Sequence, residues 1–125
     1  MQNLLALRDA LLESHKQLLA FERRKYEDVY GPVATPGAML ELVVNHPAFS
    51  WLRELSGLIV SIDEHLDGTS TDASAEDFRL AVQRLYVSPK PGDIFWEKYQ
   101  VAFQHEVEVA HAHGKVLGAL KREEP

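Results

Sequence analysis

The chain has 125 residues, a formal charge of −6, 46% hydrophobic and 26% charged residues, and no Cys. That length suits one domain with one core, and the ordinary balance of apolar and charged residues excludes a disordered or fibrous chain. The excess of 19 Asp and Glu over 13 Lys and Arg repels phosphate backbones and anionic membrane surfaces, while the lack of Cys excludes disulfides, Cys-ligated zinc, iron–sulfur clusters and a thiol nucleophile.

The N-terminal stretch MQNLLALRDALLE has no basic n-region, and Arg8 and Asp9 interrupt its apolar run, so it does not read as a leader. No apolar run approaches the roughly 20 residues of a membrane span, and the expectation is a soluble, cytoplasmic protein. From Leu4 to about Val29, Leu4, Leu7, Leu11, Leu18 and Phe21 recur at helical spacing with Leu5, Leu12, Leu19 and Tyr26 beside them, predicting one long helix with a wide buried face. Tyr30-Gly31-Pro32 stops it, because Gly supplies a left-handed cap and Pro cannot continue the ladder. Thr35 and Pro36 read as N-cap and first residue of a second helical segment through Met39, Leu40, Leu42, Val43 and Val44. Pro47 interrupts a pattern that otherwise runs to Leu66, so a kink or one-residue break is expected there. Beyond it Leu52, Leu55, Ile59, Ile62 and Leu66 form the core stripe, and Trp51, Leu58 and Val60 extend apolar surface around the cylinder.

The run Asp67-Gly68-Thr69-Ser70-Thr71-Asp72 is a polar turn-forming loop, and Ser74 with Asp77 resembles a capping box opening a helix that turns Phe78, Ala81, Val82 and Leu85 inward. After Ser88-Pro89-Lys90-Pro91-Gly92, Asp93 caps a last helix with Trp96, Tyr99, Phe103, Ala110, Leu117 and Leu120 at heptad spacing, closing with Lys121 and Arg122. No segment alternates with a period of two. The pattern predicts a single all-α domain over 1–125, a four-helix up-down-up-down bundle with its second helix kinked or broken at Pro47.

Within His46 to Glu64, the runs His46-Pro47-x-Phe49, Trp51-Leu52-Arg53 and Leu58-Ile59-Val60-x-Ile62-Asp63 resemble a segment of small uncharacterised bacterial helical proteins. The resemblance implies a bacterial, cytoplasmic setting and no particular chemistry.

Helix levels suggest where a site could lie. With loops at Tyr30–Thr35 and antiparallel packing at 1.5 Å per residue, first-helix residue n stands near second-segment position of about 65 − n and last-helix position of about 122 − n. His46 then falls near position 19, Glu106 near 16 and His113 near 9, bringing His15, His46 and Glu106 to within about one and a half turns of one another. Glu106 and His113 share the heptad position of Tyr99 and Leu120, so they are polar residues in an apolar stripe, and His15 and Glu22 border the stripe of Leu11, Leu18 and Phe21. Imidazole and carboxylate on facing helices can hold a divalent metal or small ligand, and can equally form a buried hydrogen-bonded pair that needs neither.

Other chemistries find little support. Carboxylate-bridged di-metal bundles need two Glu-x-x-His pairs, whereas the one pair here, Glu108 and His111, falls on the outward side of its helix, and no His has Glu or His four residues later. His105, His111 and His113 do not share one helical face. Ser14, Ser50, Ser56 and Ser61 sit in helical patterns without a nucleophile elbow, and no Gly-rich phosphate cradle occurs. Arg23-Arg24-Lys25 lies among Glu22, Glu27 and Asp28 and reads as a salt-bridged face. Tyr26, Tyr30, Tyr86, Trp96 and Tyr99 project to one end of the bundle, as a core plug or as a pocket mouth. The leading expectation is a non-enzymatic interaction module that self-associates through Trp51, Leu58 and Val60, or binds another protein, without nucleic acid, membrane or cofactor. The alternative is a bundle with a metal or ligand held by His15, His46 and Glu106.

Overall fold

The computed structural model describes residues 2–69 and 73–123, with side chains placed for 4–69 and 73–121. Ser70, Thr71 and Asp72 of the polar loop and the side chain of Arg122 lie outside the described residues. Within them the protein is all-helical, with no strand. No helix among the described residues is long and apolar enough to cross a membrane.

Helix α1 (Gln2–Tyr30) ends as its sequence dictates: Gly31 takes a positive φ of 91° and donates its N–H to the Glu27 carbonyl at 2.9 Å. Thr35 then caps α2 (Pro36–Asn45), its hydroxyl accepting the Ala38 N–H at 3.0 Å. His46 leaves the helix because the residue before a proline is driven into the extended region, and its φ and ψ are −83° and 133°. A 3₁₀ segment (Pro47–Leu52) leads directly into α3 (Arg53–Leu66). Helix α4 (Ala75–Tyr86) opens with the expected reciprocal capping box of Ser74 and Asp77, and α5 (Ile94–His105) with the Asp93 carboxylate accepting the Phe95 N–H. Helix α6 (Val107–Glu123) is the last described element.

The four expected helices are thus six α-helices and one 3₁₀ segment among the described residues. One extra break falls at Pro47, where it was expected. The other falls at Glu106, where φ −128° and ψ 115° interrupt the last helix with no Pro or Gly nearby.

Helix α1 is the hub. Leu4, Leu7, Leu11, Leu18 and Phe21 are buried along it, meeting Leu55, Ile59 and Ile62 of α3, Phe78, Val82 and Leu85 of α4, and Val109, Val116 and Ala119 of α6 in one core. Arg8 bonds Asp63 and His15 bonds Ser56, so numbers fall along α3 as they rise along α1 and the two run antiparallel. Arg24 pairs with Glu106, and Glu13 sits within electrostatic reach of His111 and Lys115, so α6 is antiparallel to α1 as well. The last-helix stripe differs from the heptad reading. Phe95, Tyr99, Ala102, Val109, Ala112 and Val116 are buried, while Phe103 is 39% exposed and Ala110 and Leu117 are half-buried.

Candidate functional site

The three residues expected to converge at mid-bundle instead take three separate partners. His15, half-buried on α1, lies 2.7 Å from Ser56 Oγ through its Nε2. Ser56 Oγ also reaches the Leu52 carbonyl at 3.1 Å, so His15 Nε2 is engaged by a hydroxyl that is itself tied to the backbone. Burial pushes the His15 imidazole below its ordinary value, keeping it neutral near pH 7. His46 spends its Nδ1 lone pair on the Ala48 N–H at 3.1 Å, capping the 3₁₀ segment, and packs edge-on against Tyr26 with centroids 5.3 Å apart. Glu106 bonds Arg24 at 2.7 Å. Along α1 the levels of His15 and Arg24 differ by nine residues, about 13 Å of helix rise, so no shared ion could bridge His15 and Glu106. Among the described residues no group of three His, Cys, Asp or Glu side chains comes together as a metal site. The level estimate failed for Glu106 because it assumed an unbroken last helix.

The expected partner surface is also redrawn. Trp51 is 8% exposed, its ring 5.3 Å from Phe95 in the core, and Leu58 packs half-buried against that core. Of the three, Val60 remains at the surface, 56% exposed. The face that does stay open belongs to α2. Six of its ten residues are Ala, Met, Leu or Val and none is buried, with Leu40 64% and Val44 53% exposed one turn apart. Its Met39 closes one side of a groove of about 430 Å³ over α1, lined by Leu12, His15, Leu19 and Ala20 and rimmed by Lys16 and Arg23. The Arg53 guanidinium ties the end of α2 to α3 by donating to the Val44 carbonyl at 2.6 Å.

A second arrangement forms where α5 turns into α6. Tyr99 and His113 are 14 residues apart, which an unbroken helix would spread over about 21 Å. They are hydrogen-bonded, Tyr99 Oη to His113 Nδ1 at 2.7 Å, because the chain folds back at Glu106. Behind them Tyr86 Oη lies 2.8 Å from Ser14 Oγ, both buried. Burial raises both phenols far above their ordinary value, so both keep their protons, and it lowers His113, which stays neutral. Tyr99 Oη has His113 Nδ1 as its hydrogen-bond partner among the described residues, and a phenol that keeps its proton satisfies it by donating there. Neutral His113 therefore carries its hydrogen on Nε2.

The five aromatics expected at one end separate into two groups. Tyr26 and Tyr30 join His46 and Phe49, while Trp96 and Tyr99 join Phe95, Tyr86, Phe103 and His113. His113 was visible in the sequence as a polar residue in an apolar stripe, but its partner lay on its own helical pattern instead of on α1. Ser14, which resembled no nucleophile, is buried and hydrogen-bonded to Tyr86. Glu108 and His111 are exposed, as their outward positions predict, and His105 bonds the Val101 carbonyl at 2.8 Å. No protein-family model matches the chain, and neither a curated protein nor a solved structure is detectably similar to it.

Proposed function

We propose that the protein is a non-enzymatic helical interaction module that pairs with a second copy of itself through α2 and the groove beside it. One observation carries this reading: α2 is a ten-residue helix, mostly apolar, with no buried residue. A helix that short is marginal alone and takes its stability from the surface it covers. Within one chain α2 covers too little, and Leu40 and Val44 project away from their own core.

A second copy supplies the complement. The groove over Leu12, Leu19 and Met39 is apolar with Lys16 and Arg23 at its rim, and the single charge on α2 is Glu41. Two chains related by a two-fold axis can each lay α2 beside the other's groove, burying Leu40 and Val44 twice and setting Glu41 against the cationic rim. In this reading the helices act as four arms of an up-down bundle, the second broken at His46 and the last at Glu106, and the break at His46 frees α2 to serve as the contact.

Sedimentation velocity over a range of concentrations tests the pairing. The wild-type chain should reach dimer mass, and Leu40→Asp together with Val44→Asp should return it to monomer mass with its helical circular dichroism unchanged. A wild-type chain that stays monomeric at millimolar concentration, or a doubly substituted chain that dimerises equally well, would sink the reading.

A further inference from the structure

We propose that the bend between α5 and α6 is a binding site for a small, neutral, planar aromatic molecule carrying one hydrogen-bond acceptor. Trp96, Tyr99 and Phe103 follow one another at three- and four-residue spacing and so share one face of α5. With His113 of α6 and the amides of Gln100 and Gln104 they line a cavity of about 170 Å³. An apolar cavity of about 150 Å³ is enough for benzene, so the space suits a single six-membered ring with a short substituent.

The walls are arranged for a ring. Trp96 and Tyr99 are stacked with centroids 6.0 Å apart and an interplanar angle of 28°, while Phe103 meets His113 edge-on at 5.2 Å and 84°. The rings thus offer both a face and an edge, the two geometries in which aromatic groups attract one another.

The polar requirement comes from the Tyr99–His113 bond. The buried Tyr99 phenol donates its one hydrogen to His113 Nδ1, which puts the hydrogen of the neutral imidazole on Nε2. That Nε2–H has no hydrogen-bond partner among the described residues, and it belongs to a half-buried ring in the cavity wall. The site therefore presents one oriented donor among aromatic walls and calls for an acceptor on the ligand: a carbonyl, a ring nitrogen or a phenol oxygen. A cation is disfavoured, because the same N–H would point its positive end at it. Exposed Phe103 forms the outer wall, so a ligand can enter without unfolding the core.

Titration of the full chain with benzamide, toluene and benzyltrimethylammonium, followed by tryptophan fluorescence and by chemical shifts of His113, tests the site. Benzamide should bind saturably and at least about fivefold more tightly than toluene, which fills the same space without an acceptor, with the His113 Nε2–H resonance moving on binding. Phe103→Ala, a change at a partly exposed side chain, should weaken both neutral compounds at least tenfold. His113→Phe should abolish the preference for benzamide over toluene; if that variant does not fold, the comparison of the two ligands on the wild-type chain still decides the matter. The proposal is overturned if neither neutral compound saturates, if Phe103→Ala binds them as the wild type does, if toluene matches benzamide, or if benzyltrimethylammonium binds more tightly than benzamide.

Discussion

Two long helical patterns are interrupted in this protein, and they are interrupted for opposite reasons. At His46 the cause is local. Pro47 lacks an N–H and forces its predecessor into an extended conformation, and the His46 ring caps the 3₁₀ segment. At Glu106 no neighbouring residue demands a break. The Glu106 carbonyl accepts the Val109 and Ala110 N–H groups at 3.1 and 3.2 Å and so starts α6, but the chain is turned back by a contact between distant side chains, Tyr99 on His113. His105, Val107, Val109, His111 and His113 are all mediocre helix formers, so little intrinsic preference opposes the turn. A break written by proline leaves a helix with little to pack on, whereas one written by tertiary contact gathers rings and hydroxyls into a buried cluster.

The largest expected effect comes from that difference. Tyr99 is fully buried and is the element through which α5 grips α6, so Tyr99→Ala should cost about 3–5 kcal/mol, the range for deleting a large aromatic side chain from a core. Tyr99→Phe keeps the ring but leaves His113 Nδ1 without its donor, and should cost about 1–3 kcal/mol. Urea unfolding checks both. If Tyr99→Ala costs under about 1 kcal/mol, the turn at Glu106 is held by something other than this contact.

Acid should loosen the tertiary break. His113 and His15 are both held below their ordinary value of 6.5 by burial, so on acidification the unfolded chain takes up their protons first. Stability is then full above that value and falls as the pH drops from about 7 towards the depressed native values, since it declines wherever the unfolded state binds more protons. The groups packed on the His113 ring are Tyr86, Tyr99 and Phe103, none of which is anionic in this range. A separate loss belongs below about pH 4.5, where Glu13 and Glu27, lowered by bonds from Gln17 and from the Val33 N–H, begin to protonate. Thermal melts at about pH 7 and about pH 5.5 should show the first drop, and in His113→Gln it should shrink. An identical drop in that variant would leave His113 out of the account.

The sequence made legible whatever adjacent residues encode. Thr35-Pro36, the Ser74 and Asp77 pair, Asp93, Gly31 and Pro47 all place their element ends where the structure has them, because a cap or a fixed φ acts within three or four residues. The site was less legible. Placing Glu106 opposite position 16 needed an unbroken last helix, and the contacts found at the break join residues 14 and 82 positions apart. The heptad reading kept Tyr99 inside correctly but also drew in Phe103, which the turn leaves at the surface. Trp51 looked like surplus apolar surface because nothing in the sequence says that Phe95 will cover it.

Pro47→Ala tests the local side of the comparison. It restores a donor in a half-exposed segment and removes the constraint on His46, so stability should change by no more than about 1 kcal/mol in either direction. Helical circular dichroism should rise slightly as α2 and the 3₁₀ segment begin to fuse. If dimerisation depends on α2 standing free of α3, the same variant should self-associate less well. Unchanged helicity would mean that His46 and its ring packing hold the break without the proline.

The smallest effect should come from the most visible contact at Glu106. The Arg24 pair at 2.7 Å looks like a clasp, yet the Arg24 side chain is 53% and the Glu106 side chain 30% exposed. An ion pair in that setting contributes about 0–1 kcal/mol, because water solvates both charges nearly as well and two long side chains must be held still. Arg24→Ala should therefore lower stability by less than about 1 kcal/mol, an effect further reduced in high salt. It should leave the Tyr99–His113 hydrogen bond intact, read from the His113 ring resonances. Should the substitution instead cost about 2 kcal/mol or more and shift those resonances, the turn would be pinned electrostatically from α1. The contrast between the two breaks would then be one of proline against charge, with the aromatic cluster a consequence of the turn instead of its cause.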